Sequence, residues 1–307
     1  MHYLIVFIFF ILLFIFGMTL LRTGLFNLSA DSLKKWIAKL TSSPWKGLLV
    51  GTLITALLQS SSAVMVLTIG LISARMLTFH QSIGIILGTN IGTTFTTEFI
   101  TFQIDNMLFP FALTGGLLIW MKNKSLKSIG LILLGISLVF SAMKGFEFLV
   151  HPLTKIPIVE TLLLSLSTSN LLSIITGVIL TALIQSSTAT TGIVMGFLAG
   201  GALNLGTGIA IMLGSNIGTC VTAYLASIGG GKEAKLSAYA HIWLNVVGVI
   251  LFYPFIGQLE QLGYMTAGEP AVQLAHTSVL FNVLSSILVL PFASVFASFI
   301  LKVHGRK

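Results

Sequence analysis

The sequence is poor in charge, and most of what it excludes follows from that. Only 8% of its 307 residues are charged, against about 25% in an ordinary soluble domain. It has 55% hydrophobic residues and a mean hydropathy of +1.03, which leaves an all-α integral membrane protein as the fold class. A single cysteine, Cys220, excludes an intrachain disulfide. No Cys, His or acid spacing suits a metal, since His2, His80, His151 and His304 fall near the ends of apolar runs. A hydrolase built on Ser60 or Ser186 with His241 or His276 would need a strand-to-helix nucleophile elbow, which is absent, so no enzyme is expected. Gly229-Gly230-Gly231-Lys232 has no strand leading into it and is read as a loop, not a phosphate-cradling one. Residues 3–21 lack a basic leader and a cleavage pattern, and read as a retained spanning helix. The net charge of +8 does not imply nucleic acid, because the basic residues flank apolar segments and form no continuous patch.

What is present is a repeated polar cluster in apolar surroundings. Gln59, Ser60, Ser61 and Ser62 lie inside an apolar run from Trp45 to Ala74, and Gln185, Ser186, Ser187 and Thr188 repeat them 126 positions later. Aligned without a gap, 51–96 and 177–222 share 19 identities in 46 positions. Each unit then carries a second cluster, Gly88-Thr89-Asn90-Ile91-Gly92-Thr93 and Gly214-Ser215-Asn216-Ile217-Gly218-Thr219. Glycine in a helix costs about 1 kcal/mol relative to alanine, so both clusters are expected to break their helices and expose backbone groups to a small polar cavity at the hairpin tips.

Spans of about 20 apolar residues predict helices at Tyr3–Leu21, 81–101, 107–121, 126–143, 205–228, 236–257 and 274–301, the last kinked at Pro291. Hairpins of two short helices are predicted at 46–74 and 171–199, with interfacial segments at 29–42 and 153–168. That makes about seven full spans plus two hairpins in one transmembrane domain, 1–307. Residues 1–45 hold the first helix and an interfacial helix; repeat 1 covers about 46–145 and repeat 2 about 171–301. Three crossings separate the two hairpins, so the repeats are expected to be inverted. Fourteen of the 16 Lys and Arg residues fall on one side by this scheme, with only Lys144 and Lys155 on the other. By the positive-inside rule the chain is a multi-pass protein of the cell membrane with its amino terminus outside and its carboxyl terminus cytoplasmic.

The core offers hydroxyls, carboxamides and helix amino termini. Hydroxyls and amino-terminal N–H groups suit an anion, and carboxamide oxygens suit a hard cation such as Na⁺. An anion and a coupling cation can share such a site without any formally charged residue. The paired tips also resemble a known family. Two Gln-Ser-Ser-Ser/Thr motifs, each followed by Gly-Thr/Ser-Asn-Ile-Gly-Thr, are similar to the type II sodium-dependent phosphate cotransporters in their bacterial form without a C-terminal PhoU-like domain. The likeness extends from about 20 to 300.

The resemblance implies a sodium-coupled symporter that imports inorganic phosphate by alternating access. It puts phosphate at Ser60, Ser61, Ser62, Ser186, Ser187 and Thr188, and sodium at Gln59, Asn90, Thr93, Gln185, Asn216 and Thr219. Family members also carry Ala-His-x-x-x-Asn after each unit; Ala240-His241 with Asn245 fits, Ala275-His276 with Asn282 fits loosely, and nothing fits after the first unit. The expected partners are phosphate, Na⁺, the lipid bilayer and, as a candidate, a second copy of the chain, with no nucleic acid. No cofactor is expected beyond Na⁺ as coupling ion. The alternatives are a sodium-coupled carrier of another small anion, an anion channel and a membrane sensor; paired hairpins favour alternating access over a pore. Glu98 reads equally as a functional acid or an interfacial one, His241 with Asn245 as helix-to-helix bonding, and Thr55 and Thr181 as supports for the tips or as hydroxyls bonded to their own helices.

Overall fold

A computed structural model describes residues 2–40 and 43–305, with the side chains of 30–40 excepted, and every regular element among them is helical. The first helix, α1 (His2–Leu40), runs unbroken. It buries Phe14, Met18 and Leu21, one turn apart, and turns Ile8, Leu12 and Phe16 outward. The span expected to stop at Leu21 continues because residues 22–40 contain no proline and a single glycine, Gly24. Arg22 therefore lies halfway along a helix, not at its end. The amphipathic face expected over 29–42 lies outside the described side chains.

The first hairpin comes next as α2 (Pro44–Leu58) and α3 (Ser61–Ser73). Pro44 takes the first helical position behind the Ser43 cap, where its missing N–H leaves no bond unmade. After it, α4 (Phe79–Phe99) is opened by a reciprocal capping box between Thr78 and Gln81. A 3-10 turn at Asp105–Met107 leads to α5 (Leu108–Ile119), then α6 (Lys124–Thr154) and α7 (Pro157–Thr168). The second hairpin is α8 (Asn170–Ile184) and α9 (Ser187–Ala199), followed by α10 (Leu205–Ala226). The chain then forms α11 (Gly231–Phe252), α12 (Ile256–Thr266), α13 (Pro270–Val289) and α14 (Ala293–His304). Pro254 and Pro291 sit in the 3-10 turns that separate α11 from α12 and α13 from α14. The break at Pro291 is as expected, whereas the segment through α12 extends well past the expected end at 257.

Five stretches among the described residues are long and apolar enough to cross a membrane: His2–Ser29, Lys124–Thr154, Leu205–Ala226, Gly231–Thr266 and Pro270–His304. The sequence alone predicts about seven. The difference lies in α5, whose 12 residues reach only about 18 Å, and in α4, which has 21 residues but carries Thr89, Asn90, Thr93, Thr94, Thr96 and Thr97 along its second half. The hairpin helices, at 15 and 13 residues, are also shorter than the roughly 30 Å hydrocarbon thickness.

The expected helix breaks do not occur: α4 and α10 are continuous through Gly88–Thr93 and Gly214–Thr219. Their glycines serve packing instead. A Cβ at Gly88 would collide with the Leu48 carbonyl of α2, and a Cβ at Gly214 with the Ile174 carbonyl of α8. Four residues on, Gly92 and Gly218 face Thr55 and Thr181. This spacing of small residues lets two helix backbones touch, and in a membrane such contact stabilises helix pairs. The hydroxyls of the two clusters bond their own helix backbone, Thr89 to the Ile86 carbonyl at 2.8 Å and Ser215 to the Met212 carbonyl at 2.7 Å.

Two apolar clusters result. One gathers α1, α6, α9, α10 and α13 around Phe14, Phe146, Met195 and Phe281. The other gathers α2, α3, α4, α11 and α14 around Ile54, Met65, Ile83 and Leu244.

Candidate functional site

The two hairpin turns have one conformation. Gln59 ends α2 in the left-handed region, φ 52° and ψ 33°, and Gln185 ends α8 at φ 56° and ψ 30°. Besides Arg75, these are the described non-glycine residues with positive φ. Such a conformation is uncommon outside glycine and costs on the order of 1–3 kcal/mol where it persists. It ends one helix and lets the next begin two residues later. Ser60 and Ser186 are the extended cap residues of α3 and α9, and their hydroxyl oxygens accept from the Ala63 and Ala189 N–H groups, both at 3.2 Å.

That capping bond satisfies only the third N–H of each helix. The N–H groups of Ser61 and Ser62, and of Ser187 and Thr188, lie in the first turn, where no intrahelical acceptor exists. Both helix dipoles add positive potential at the same place.

The tips meet. One small cavity, about 10 Å³ and room for roughly one water, is lined by Gln59, Ser60, Ser61 and Ser62 from the first tip and by Gln185, Ser186, Ser187 and Thr188 from the second. Thr93 and Thr96 of α4 and Arg22 of α1 complete the wall. Arg22 donates its Nε–H to the Gln59 carbonyl at 2.9 Å. A guanidinium has five N–H donors, so four on the two Nη atoms are left to serve the cavity. The site is therefore not formally neutral, as the sequence suggested; it holds one fixed positive charge.

Nine of the twelve residues expected at the site thus line one cavity, and Asn90, Asn216 and Thr219 do not. Asn90 donates to Asn245 Oδ1 at 3.2 Å, tying α4 to α11, while Asn245 donates to the His241 carbonyl at 2.9 Å and lies 3.4 Å from Cys220 Sγ. Asn216 and Thr219 bond carbonyls of their own helix, those of Met212 and Ser215. Glu98 lies away from the cavity wall, with Oε2 3.7 Å from His276 Nε2.

Two oxygens near the first tip stand out. Gln59 donates its Nε2 to the Ala56 carbonyl at 2.6 Å, but its Oε1 is buried without a partner, as is Thr55 Oγ1 one turn earlier. At the second tip Thr181 donates to Thr190 Oγ1 at 2.9 Å. The position matching Thr190 in the first unit is Val64, which offers no such acceptor. No group of three or more metal-ligating His, Cys, Asp or Glu side chains occurs among the described residues.

Sequence reasoning missed Arg22 and Thr96. Thr96 lies one helical turn beyond Thr93, a signal that was available. The span-length rule puts Arg22 at a helix end, although Leu20, Leu21, Leu25 and Phe26 surround it with apolar residues.

The family model described as Na⁺/Pi-cotransporter matches residues 13–147 and 154–295. The chain is 41% identical to a Bacillus subtilis (strain 168) protein named YqeW and described as uncharacterized, over 93% of each chain. It is 23% identical to the putative inorganic phosphate export protein YjbB of Escherichia coli (strain K12), covering 94% of this chain and 53% of that protein, about half its length. A shorter stretch of 89 residues, 28% of this chain and 15% of the relative, is 36% identical to the sodium-dependent phosphate transport protein 2C of Rattus norvegicus. No solved structure matches the chain.

Proposed function

The chain belongs to the Na⁺/Pi-cotransporter family, and we propose that it is a secondary transporter that carries inorganic phosphate across the membrane coupled to Na⁺. The observation that carries this reading is the convergence of two helix amino termini, their hydroxyls and the Arg22 guanidinium on one cavity. Phosphate takes its bonds from Arg22 and from the hydroxyl and N–H groups of Ser61, Ser62, Ser187 and Thr188. Sodium is held by oxygen ligands near Gln59, Thr93 and Gln185, of which the unpartnered Gln59 Oε1 is the best placed. A phosphate dianion beside one guanidinium leaves one negative charge uncompensated, which Na⁺ offsets. Asn90 ties α4 to α11, while Asn216 and Thr219 bond carbonyls of their own helix.

Alternating access fits the packing. A space of about 10 Å³ is too small for phosphate, so the tips must separate to admit it. They belong to two different apolar clusters, and well-packed bodies move past one another more readily than they deform. The repeats are inverted, each tip sealing one side of the membrane. The basic residues other than Arg22 still favour an outside amino terminus.

The test is radiolabelled phosphate flux in proteoliposomes with Na⁺ or choline imposed on either side. Accumulation that follows the Na⁺ gradient and stops in choline supports symport. Full accumulation in choline driven by a pH gradient would replace Na⁺ with H⁺. The name of the Escherichia coli relative favours a second reading, export. It predicts efflux from phosphate-loaded vesicles that an inward Na⁺ gradient does not oppose.

A further inference from the structure

Two cavities along the seam of α11 and α14, one polar and one apolar, together have the character of a furrow for an amphiphile. At its polar end lies a cavity of about 680 Å³ whose wall includes Lys232, Lys235, Leu236, Tyr239, Val303 and His304. Neither lysine is within ion-pair distance of a carboxylate among the described residues. The nearest acid in sequence, Glu233, is engaged elsewhere: its Oε2 accepts the Phe79 N–H at 3.0 Å and caps α4.

The His304 ring lies flat on Tyr239, centroids 4.1 Å apart, and its Nε2 accepts from Trp243 Nε1 at 2.9 Å. Because an indole N–H can only donate, a neutral His304 carries its proton on Nδ1 and is itself a donor. Tyrosine and tryptophan beside lysine at a helix end mark headgroup depth.

Further along the same seam the lining changes. Trp243 meets Phe299 edge to face at 5.2 Å, and beyond it a second groove of about 250 Å³ is walled by Leu244, Leu251, Phe252, Leu288 and Phe296, with Ser285 the polar exception. From Tyr239 to Leu251 is about 18 Å along the helix, close to the depth of one leaflet's hydrocarbon, about 15 Å.

We propose that this furrow binds an anionic phospholipid, its phosphodiester at Lys232, Lys235 and His304 and an acyl chain in the apolar groove. The head alone would also suit a soluble phosphomonoester. The aligned apolar groove is what favours the lipid, and basic pockets between spanning helices are a recurrent headgroup site. The site is separate from the tip cavity and does not depend on what that cavity transports.

The experiment compares the full chain in detergent with added phosphatidylglycerol, phosphatidylcholine of the same acyl chains, or glycerol 3-phosphate, reading bound lipid by native mass spectrometry and unfolding temperature by a thermal shift. Phosphatidylglycerol should bind and stabilise more than the other two. Lys232→Gln with Lys235→Gln should weaken its binding about 25-fold, roughly a factor of five for each lysine, while Lys232→Arg with Lys235→Arg keeps most of it. Equal binding of the two lipids, full stabilisation by glycerol 3-phosphate, or a double Gln variant that binds phosphatidylglycerol as tightly as the native chain would each overturn the proposal.

Discussion

Arg22 offers the sharpest test of the site, because among the described residues it is the one formally charged side chain on the cavity wall. Its Nε–H is committed to the Gln59 carbonyl at 2.9 Å, so Arg22→Gln removes both a brace on the first tip and the donors turned to substrate. A hydrogen bond to a charged group is worth about 1.5–3 kcal/mol, which corresponds to roughly 10- to 150-fold in phosphate affinity. Arg22→Lys keeps a charge but not the planar fork, and should fall between the native chain and Arg22→Gln. Isothermal titration with phosphate in saturating Na⁺ reads the affinity, and a thermal melt of each variant reads the lost brace separately. Losing the fixed charge should also steepen the Na⁺ dependence of flux, since Na⁺ then offsets more of the substrate's charge. If Arg22→Gln melts at the native temperature and binds phosphate within twofold of the native chain, the guanidinium is not a substrate ligand and the charge argument fails.

The remaining predictions address the tips, the helix seams and the motion. Ser61→Ala and Ser187→Ala should each weaken phosphate binding about 10- to 150-fold, and the double variant should show coupling because both hydroxyls serve one ligand; an effect of Ser187→Ala on Na⁺ dependence alone would mean that the tips divide the labour. Thr55→Val should shift the Na⁺ dependence of flux, because Thr55 Oγ1 is unpartnered beside Gln59, whereas Thr181→Val breaks the bond to Thr190 and should chiefly lower stability. Gly88→Ala sets a methyl against the Leu48 carbonyl and should destabilise the protein by about 1–3 kcal/mol, seen as a lower unfolding temperature; a flexible break at Gly88 would tolerate it. A Cβ at Gly230 lies 2.6 Å from Ser73 Oγ, so Ser73→Cys with Gly230→Cys should cross-link α3 to the cap of α11 on oxidation; both helices belong to one apolar cluster, so flux should be undiminished, and loss of transport until reduction would refute motion of that cluster as one body.

The hairpins were legible in the sequence because a run of four polar side chains inside an apolar stretch has few solutions in a membrane, and its repetition fixed both turns at Gln59-Ser60 and Gln185-Ser186. Breaks and close contacts were not distinguishable from glycine content alone. Glycine lowers helix propensity in either case, and only the partner backbone, Leu48 for Gly88 and Ile174 for Gly214, decides which role it plays. The four-residue spacing of Gly84, Gly88 and Gly92 was the available signal, since a packing stripe has a helical period and a break does not. Arg22 was misplaced for a related reason. A count of apolar residues measures where a helix can leave the membrane, and says nothing about whether a helix must end there.

Sequence symmetry also concealed a physical asymmetry. The two tips share backbone conformation and most side chains, yet one substitution, Val64 where the second unit has Thr190, leaves Thr55 Oγ1 unbonded while its counterpart Thr181 is satisfied. An unpaired buried hydroxyl destabilises by about 1–3 kcal/mol, and under the proposed function a ligand reaching Thr55 Oγ1 and Gln59 Oε1, which lie one helical turn apart in sequence, would relieve that cost. A small hard cation meets that need, because it accepts lone pairs from neutral oxygens and demands no counter-charge from the protein. The second tip has no such pair, since Thr181 already spends its hydroxyl on α9. Under the proposed function, phosphate would be shared between the tips through their matched first turns, whereas Na⁺ would take its oxygens chiefly from the first tip. Binding of the cation would then tighten only the first tip, which gives two nearly identical hairpins different tasks in one transport cycle.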